Sequence, residues 1–196
     1  LHNMRTLGAM PVHKQKRIAQ ETMDIFAPLA NRLGIWQMKW ELEDLAFRYI
    51  DPVQYKEIAH NLRERRSIRE EHLVGIIKRL MEVLAKAGLK PDISGRPKHI
   101  YSISKKMQRK GVPFELVHDI RGFRILVPES ADCYQALGVI HSHWRPIPGE
   151  FEDYIAAPKD NFYQSLHTAV VYDDGKTLEV QIRTKEMHER AEYGIA

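Results

Sequence analysis

Six consecutive residues constrain this chain more than any others. Leu178, Val180 and Ile182 alternate with Glu179, Gln181 and Arg183, which is the period of a β-strand with one apolar and one polar face. Asp174-Gly175 just ahead is a strong hairpin signal, so an apolar run after Thr168 folds back on this strand. A carboxylate, an amide and a guanidinium therefore stand in a row. Beside them runs a strand whose approach carries Lys159, Asn161, Tyr163 and His167. On pattern alone the plainest reading is an edge hairpin with a wet polar face.

The 196 residues suffice for one good-sized domain, or one domain with a helical appendage, and 43% hydrophobic content can fill a core. A formal charge of +4 suits anionic partners without choosing between nucleotide, RNA and membrane surface. Cys133 is the sole cysteine, which rules out an internal disulfide and a cysteine-based zinc site. No apolar run reaches membrane-spanning length and no signal peptide is evident, so the expectation is a reducing, cytoplasmic setting without membrane contact. The chain opens on Leu1 and ends on Ala196 with helical pattern still running. It reads as a piece of a longer protein.

Leu1 to Met10 has no clear period. Pro11 suits a helix first turn, with Ile18, Thr22, Ile25, Phe26 and Leu29 as its apolar stripe and an end near Gly34. A second helix is expected over Trp36 to Ile50. A third and very long one should be capped by Asp51-Pro52 and stopped at Gly88, with an ion-paired, solvated face from Arg63 to Glu71. From Leu89 strands alternate with helices: strands at Lys90 to Ser94 and Ile120 to Val127, helices at Ile100 to Arg109, Asp132 to Trp144 and Thr184 to Tyr193, and a loop from Gly149 to Asp160. A helical N-terminal part thus leads into an α/β domain.

Gly95-Arg96-Pro97-Lys98-His99-Ile100-Tyr101-Ser102 lies between a strand and a helix. A helix N-terminus with basic neighbours is a natural phosphate site, and a solvated basic turn is the plain alternative. Asp119 stands at the mouth of a buried strand, where a carboxylate is a plausible Mg²⁺ ligand with Glu179 as the second. Strict alternation would put Asp119 and Arg124 on opposite faces, unless Asp119 precedes the regular strand. Gly175-Lys176-Thr177 resembles the end of a phosphate-binding loop but reads better as the hairpin turn, because Val170 stands where the first glycine is required. His141 and His143 lack further ligands and read as helix residues, and Cys133 reads as packing.

Five segments in this order resemble the synthetase domain of the long RelA/SpoT-type enzymes of (p)ppGpp metabolism. They are Gly95 to Ser102, Asp119 to Arg124, Tyr163 to Thr168, Glu179 to Thr184 and Ala191 to Gly194, and the resemblance covers essentially the whole chain. It implies an α/β (α+β) fold, a nucleotidyltransferase-like mixed β-sheet flanked by helices and preceded by a helical linker. Residues 1–10 would be a remnant of the preceding hydrolase domain, 11–88 the bridge and first synthetase helices, and 89–196 the core. The hydrolase metal site lies upstream in that family, so this fragment is expected not to hydrolyse.

The implied reaction moves the β,γ-pyrophosphate of ATP to the 3′-OH of GDP or GTP, with Mg²⁺ as cofactor. By the resemblance Asp119 and Glu179 would be metal-associated and catalytic, with Glu179 the candidate base. Arg96 and Arg124 would hold adenine, and Lys98, Ser102 and Lys105 the ATP phosphates. Tyr163 would stack on guanine, with Lys159, Asn161, His167, Gln181, Arg183, His188 and Ala191 completing the acceptor site. Ser104 stands where the family often has an aromatic residue, an expectedly tolerated change. Glu150, Glu152 and Asp153 match the acidic loop of synthetase-only members, whereas Leu1 to Leu7 resembles an enzyme with working hydrolysis. Ribosome and tRNA would be reached only through other domains of the full-length protein. Two rival readings are a non-catalytic RNA- or ribosome-binding module, which would use the basic surface and exposed aromatics, and a nucleotidyltransferase acting on an RNA end. Paired carboxylates in a cationic site oppose the first of them.

Overall fold

A computed structural model describes residues 1–64, 66–96, 98–118 and 121–194, with backbone alone for 64, 66–71 and 118. The expected ion-paired face of Arg63 to Glu71 falls almost wholly outside the described side chains, and Asp119 and Ile120 lie outside the described residues. The N-terminal part is helical: α1 His2–Arg5, a 3₁₀ turn Leu7–Ala9, α2 Val12–Glu21, a π turn Thr22–Phe26, α3 Ala27–Arg32, α4 Trp36–Ile50, α5 Pro52–Glu64 and α6 Arg66–Lys86. Helix α4 spans the residues that the periodicity predicts. At the start of α5 the Asp51 carboxylate accepts the Gln54 N–H at 3.0 Å, the expected cap.

The stripe predicted for the first long helix is corrected. Thr22 is buried, but Ile25, Phe26 and Leu29 are about half exposed. The π turn adds a residue to one turn and rotates the register. Ala19, Ala27 and Ala30 then face α4 instead, packed with Met4, Leu7, Leu42 and Ala46. Small residues let the two helices approach closely.

The second half adds β1 Asp92–Gly95, α7 Ile100–Lys110, α8 Phe114–His118, β2 Arg121–Val127, α9 Ser130–His143, β3 Arg145–Pro146, β4 Glu152–Asp153, β5 Leu166–Val171, β6 Thr177–Thr184 and α10 Lys185–Tyr193. Strand order is β1-β2-β6-β5-β3, with β4 also on β5. β2 and β6 run parallel and the remaining pairs antiparallel, so the sheet is mixed as expected. Three elements were not anticipated: α8, β3, and β4 inside the expected loop, where Glu152 pairs with His167 and Asp153 with Leu166.

The edge-hairpin reading of β6 is also corrected. β6 lies inside the sheet, covered by β5 on one side and β2 on the other. Alternation records which face is apolar but not how many neighbours a strand has. The hairpin itself forms as read, with Gly175 at φ +76° in the turn.

One sheet face is apolar. Phe123, Ile125, Val127, Leu166, Val170, Leu178, Val180 and Ile182 pack with Leu80, Val83 and Leu84 of α6 and Cys133, Ala136 and Ile140 of α9. Each such side chain, nearly water-free, contributes roughly 1.5–3 kcal/mol by burial. Cys133 is packing, its thiol pushed up to about 12 chiefly by burial. His141 is a helix residue bonded to Thr168 Oγ1 at 2.7 Å. The opposite face carries the polar rows and lies beneath α4, α7 and α10. A second small core joins Phe47 of α4 and Ile58 of α5 to Ile103 of α7 and to Phe114 and Val117 of α8, and so fastens the helical half to α7 and α8.

Candidate functional site

Register builds the site. Arg124 pairs with Gln181 across β2 and β6, Gln181 with His167 across β5, and His167 with Glu152 on β4. One row of the polar face is therefore Arg124, Gln181, His167 and Glu152. The next row holds Gly122, Glu179 and Ala169. Arg183, two residues on from Gln181, shares the same face.

Three cavities open along this face. The first, about 140 Å³, is lined by Arg96, Lys98, Ser102, Arg124 and Glu179, together with Trp40, His99 and Lys106. The second, about 340 Å³, takes Arg96 and Glu179 again and adds Glu150, Glu152, His167, Gln181 and Arg109. The third, about 490 Å³, lies against α10 and is lined by Asn161, Tyr163 and Ala191 with Trp36, Phe162, Met187, Gly34 and Gly194. Both glycines have positive φ, +71° and +81°.

Lys105 lies outside the first lining, with its Nζ 5.6 Å from the Tyr101 ring centroid. Lys106 reaches the carboxylate instead, and its ammonium is hydrogen-bonded to Glu179 Oε1. Ser102 and Lys106 are four apart and share a helix face, a signal the sequence did carry. The N-terminus of α7 differs from the expected phosphate cradle. Its Ile100 and Tyr101 N–H groups donate to the Asp44 carboxylate of α4, at 3.2 and 2.8 Å. His99 is stacked on Trp40, with centroids 4.7 Å apart. Ser104 is buried and bonds Gln54, so no aromatic ring is needed at that position.

Beside the third cavity Tyr163 is only 9% exposed. Its hydroxyl meets His167 Nε2 at 2.8 Å, and Lys159 Nζ lies 5.6 Å from its ring centroid. Asn161 holds the loop: its amide donates to Asn31 O at 2.9 Å and its oxygen accepts the Tyr163 N–H. Phe162 then stands at φ +62° with its ring exposed. Asp153 is likewise used by its own loop, accepting from Tyr134 and from the N–H groups of Ile155 and Ala156. Glu150 and Glu152 are the acidic residues that line a cavity. His188 contacts Arg183, its Nδ1 2.7 Å from the guanidinium.

The electrostatics are those of a site awaiting anions. Burial lowers the Arg96 guanidinium, and Arg124 lowers it further. Arg183 is pushed down to about 10 by burial first, with Arg124 and Arg96 adding to the shift. Arg124 Nε and Arg183 Nε are buried without a hydrogen-bond acceptor, as is His99 Nε2. The described residues contain no group of three or more His, Cys, Asp or Glu that could hold a metal. Glu179, at the junction of two cavities, fits a hard divalent cation completed by substrate oxygens rather than a cage made by protein alone.

Sheet, helices and clustered guanidiniums together define a class: an α/β, nucleotidyltransferase-like domain shaped for strongly anionic ligands. The chain belongs to the RelA/SpoT family. The model for the region found in RelA / SpoT proteins matches residues 95–196, and an HD domain model matches residues 1–36. The chain is 52% identical over 195 residues to a GTP pyrophosphokinase of Myxococcus xanthus, covering 100% of itself and 26% of that protein. It is also 52% identical over 197 residues to a guanosine-3′,5′-bis(diphosphate) 3′-pyrophosphohydrolase of Aquifex aeolicus, covering 28% of it. It thus spans about a quarter of these relatives. The small alarmone synthetase 2 of Bacillus subtilis aligns at TM-score 0.50 and 28% identity, over 63% of this chain and 72% of that one. The resemblance carried by the five motifs is borne out. No helix among the described residues is long and apolar enough to cross a membrane.

Proposed function

We propose that this chain is the synthetase part of its parent protein, transferring the β,γ-pyrophosphate of ATP to the 3′-OH of GDP or GTP to give AMP and ppGpp or pppGpp. One observation carries the reading most: Arg96 and Glu179 line both the first and the second cavity, so a cation and a carboxylate stand where two ligands would meet. ATP would occupy the first cavity, with its phosphates toward Lys98, Ser102 and Lys106. The acceptor would lie along Gln181, His167 and Tyr163 with its ribose toward Glu179. Its O3′ attacks the β-phosphorus, the bond from that phosphorus to the α,β-bridging oxygen breaks, and AMP leaves. The 3′-hydroxyl proton passes to Glu179. Arg96, Arg124 and Arg183 offset the repulsion between two polyanions and orient them. Mg²⁺, held by Glu179 and Asp119 with phosphate oxygens, would supply further charge neutralisation on the transferred group.

We read residues 1–10 as the end of the HD region, 11–88 as the bridge and first synthetase helices, whose start the HD match to residue 36 overlaps, 89–196 as the core, and the setting as cytoplasmic. Contacts with ribosome and tRNA belong to other parts of the full-length protein. Glu150, Glu152 and Glu179 facing the cavities disfavour a module that binds RNA phosphates. The test is incubation with ATP, GDP and Mg²⁺. AMP and ppGpp in equal amounts are expected, and absence of AMP release from the folded chain would refute the reading.

A further inference from the structure

A single carboxylate ties the two halves of the arginine cluster together. Glu192, on the last turn of α10, places Oε1 3.5 Å from Arg124 of β2 and 3.5 Å from Arg183 of β6, with His188 Nδ1 at 3.6 Å. Arg183 is 2% exposed, Arg124 13% and Glu192 19%, so none of these charges is well hydrated. The two guanidiniums are close enough for Arg124 to depress Arg183, whereas Glu192 raises it. By the reading above Arg124 serves the donor and Arg183 the acceptor, and Glu192 is assigned to neither.

We propose that Glu192 is a positioning residue, the resident counter-charge shared by both nucleotide subsites. This inference rests on the proposed function. Burying two like charges side by side is costly unless an anion is shared between them. Before nucleotides arrive that anion is Glu192, which keeps both guanidiniums on the polar face. Phosphate oxygens then take over part of its work, because charge-assisted bonds from arginine to phosphate are short and strong. Glu192 touches no reacting atom in this scheme. It sets where Arg124 and Arg183 wait. The anchor for this placement is the α10 cap, where the Met187 N–H donates to Thr184 Oγ1 at 3.1 Å at the end of β6.

The consequence is an asymmetry between the empty and the filled protein. Glu192→Gln should lower the melting temperature of the nucleotide-free chain by about 2–4 °C. Saturating GDP with a non-hydrolysable ATP analogue should shrink that gap to less than half, because ligand phosphates replace the lost charge. KM for both substrates should rise about tenfold while kcat stays within about threefold, since binding rather than the chemical step is affected. Glu192→Asp, which keeps the charge, should recover part of each loss. An equal melting deficit with and without nucleotides would mean that Glu192 only braces α10, and would overturn the proposal. Unchanged KM values, or a rise for one substrate alone, would do the same. Inorganic pyrophosphate is the control that separates this inference from the proposed function. If it narrows the gap while ATP and GDP neither bind nor react, the counter-charge stands and the reaction assignment falls. If the parent chain turns over normally and Glu192→Gln matches it, only the Glu192 inference is lost.

Discussion

Trp36 meets Tyr163 edge to face, with ring centroids 5.2 Å apart and planes 62° to one another. This contact joins the start of α4 to the loop that leads into β5. Trp36 is also 6.0 Å from Trp40, which lines the first cavity. One helix therefore supplies an aromatic wall to each proposed subsite.

Tyr163→Ala should raise the GDP dissociation constant about ten- to a hundredfold, the worth of one base–aromatic stack, and leave ATP binding nearly unchanged. Because the ring is buried among Trp36, Tyr154 and His167, the same change should also lower stability by about 3–5 kcal/mol. Tyr163→Phe keeps the π-face and loses the bond to His167, at a cost of about 1 kcal/mol. Calorimetric titration with both nucleotides decides. Unaltered GDP affinity in the alanine variant would move the guanine subsite elsewhere.

Glu179→Gln preserves shape and removes the charge that faces Lys106 and both cavities. Turnover should fall at least a hundredfold, with the circular dichroism spectrum unchanged. Substantial Mg²⁺-dependent turnover in this variant would exclude Glu179 as base and metal-associated carboxylate.

Arg124→Ala should weaken an ATP analogue more than GDP, since Arg124 lines the first cavity and not the second, and Arg96→Ala should do so to a smaller degree, since Arg96 lines both. Equal losses for the two ligands, measured by calorimetry, would make these arginines general phosphate counter-charges.

Asp44 caps α7 from another helix, which makes the loop before α7 depend on α4. Asp44→Ala should reduce stability by about 1 kcal/mol and raise KM for ATP, with little change in KM for GDP. Denaturant titration and initial rates test this. A variant that loses stability without any change in KM for ATP would confine Asp44 to helix capping.

The pH dependence follows from His167. Burial first, then Arg96, Lys159 and Arg183, push its imidazole down to about 3. The unfolded chain binds that proton near the ordinary value of about 6.5, the folded chain only near 3. The stability that neutral His167 provides is complete above the unfolded value and is lost as pH falls from there toward 3. His188 and His141 are lowered too and act in the same sense. The urea midpoint should therefore drop between about pH 7.5 and 5, and by less in His167→Gln. Identical slopes in the two proteins would show that His167 titrates freely in the fold.

Much of this was legible in the residues because local rules govern them. The alternation of β6, the Asp174-Gly175 turn, the Asp51 cap and the span of α4 all follow from short-range pattern. What escaped needed the third dimension. The π turn at Thr22–Phe26 shifts the register beyond Thr22, so that Ile25, Phe26 and Leu29 leave the buried side, and no apolar period announces such a turn. Trp36 and Trp40 lie on a helix remote in sequence from the strands they face, and Glu192 reaches Arg124 of β2 as well as the neighbouring Arg183, contacts that come from packing. Asp44 reaches α7 across more than fifty residues of chain, so the apparent phosphate cradle carried no local sign of being filled.

Gly34 and Gly194 have a bearing on how this protein can change over generations. A methyl at Gly34 would come within 3.3 Å of Asn161 O, and one at Gly194 within 3.1 Å of Ile35 Cγ1, and both backbones are left-handed. Neither position tolerates a side chain without strain in a conformation that L-residues rarely adopt. The edge of the third cavity is thus written in backbone, closed to gradual drift. Variation in the shape of this cavity is channelled into the replaceable side chains around it, Met187, Gln164 and Arg190.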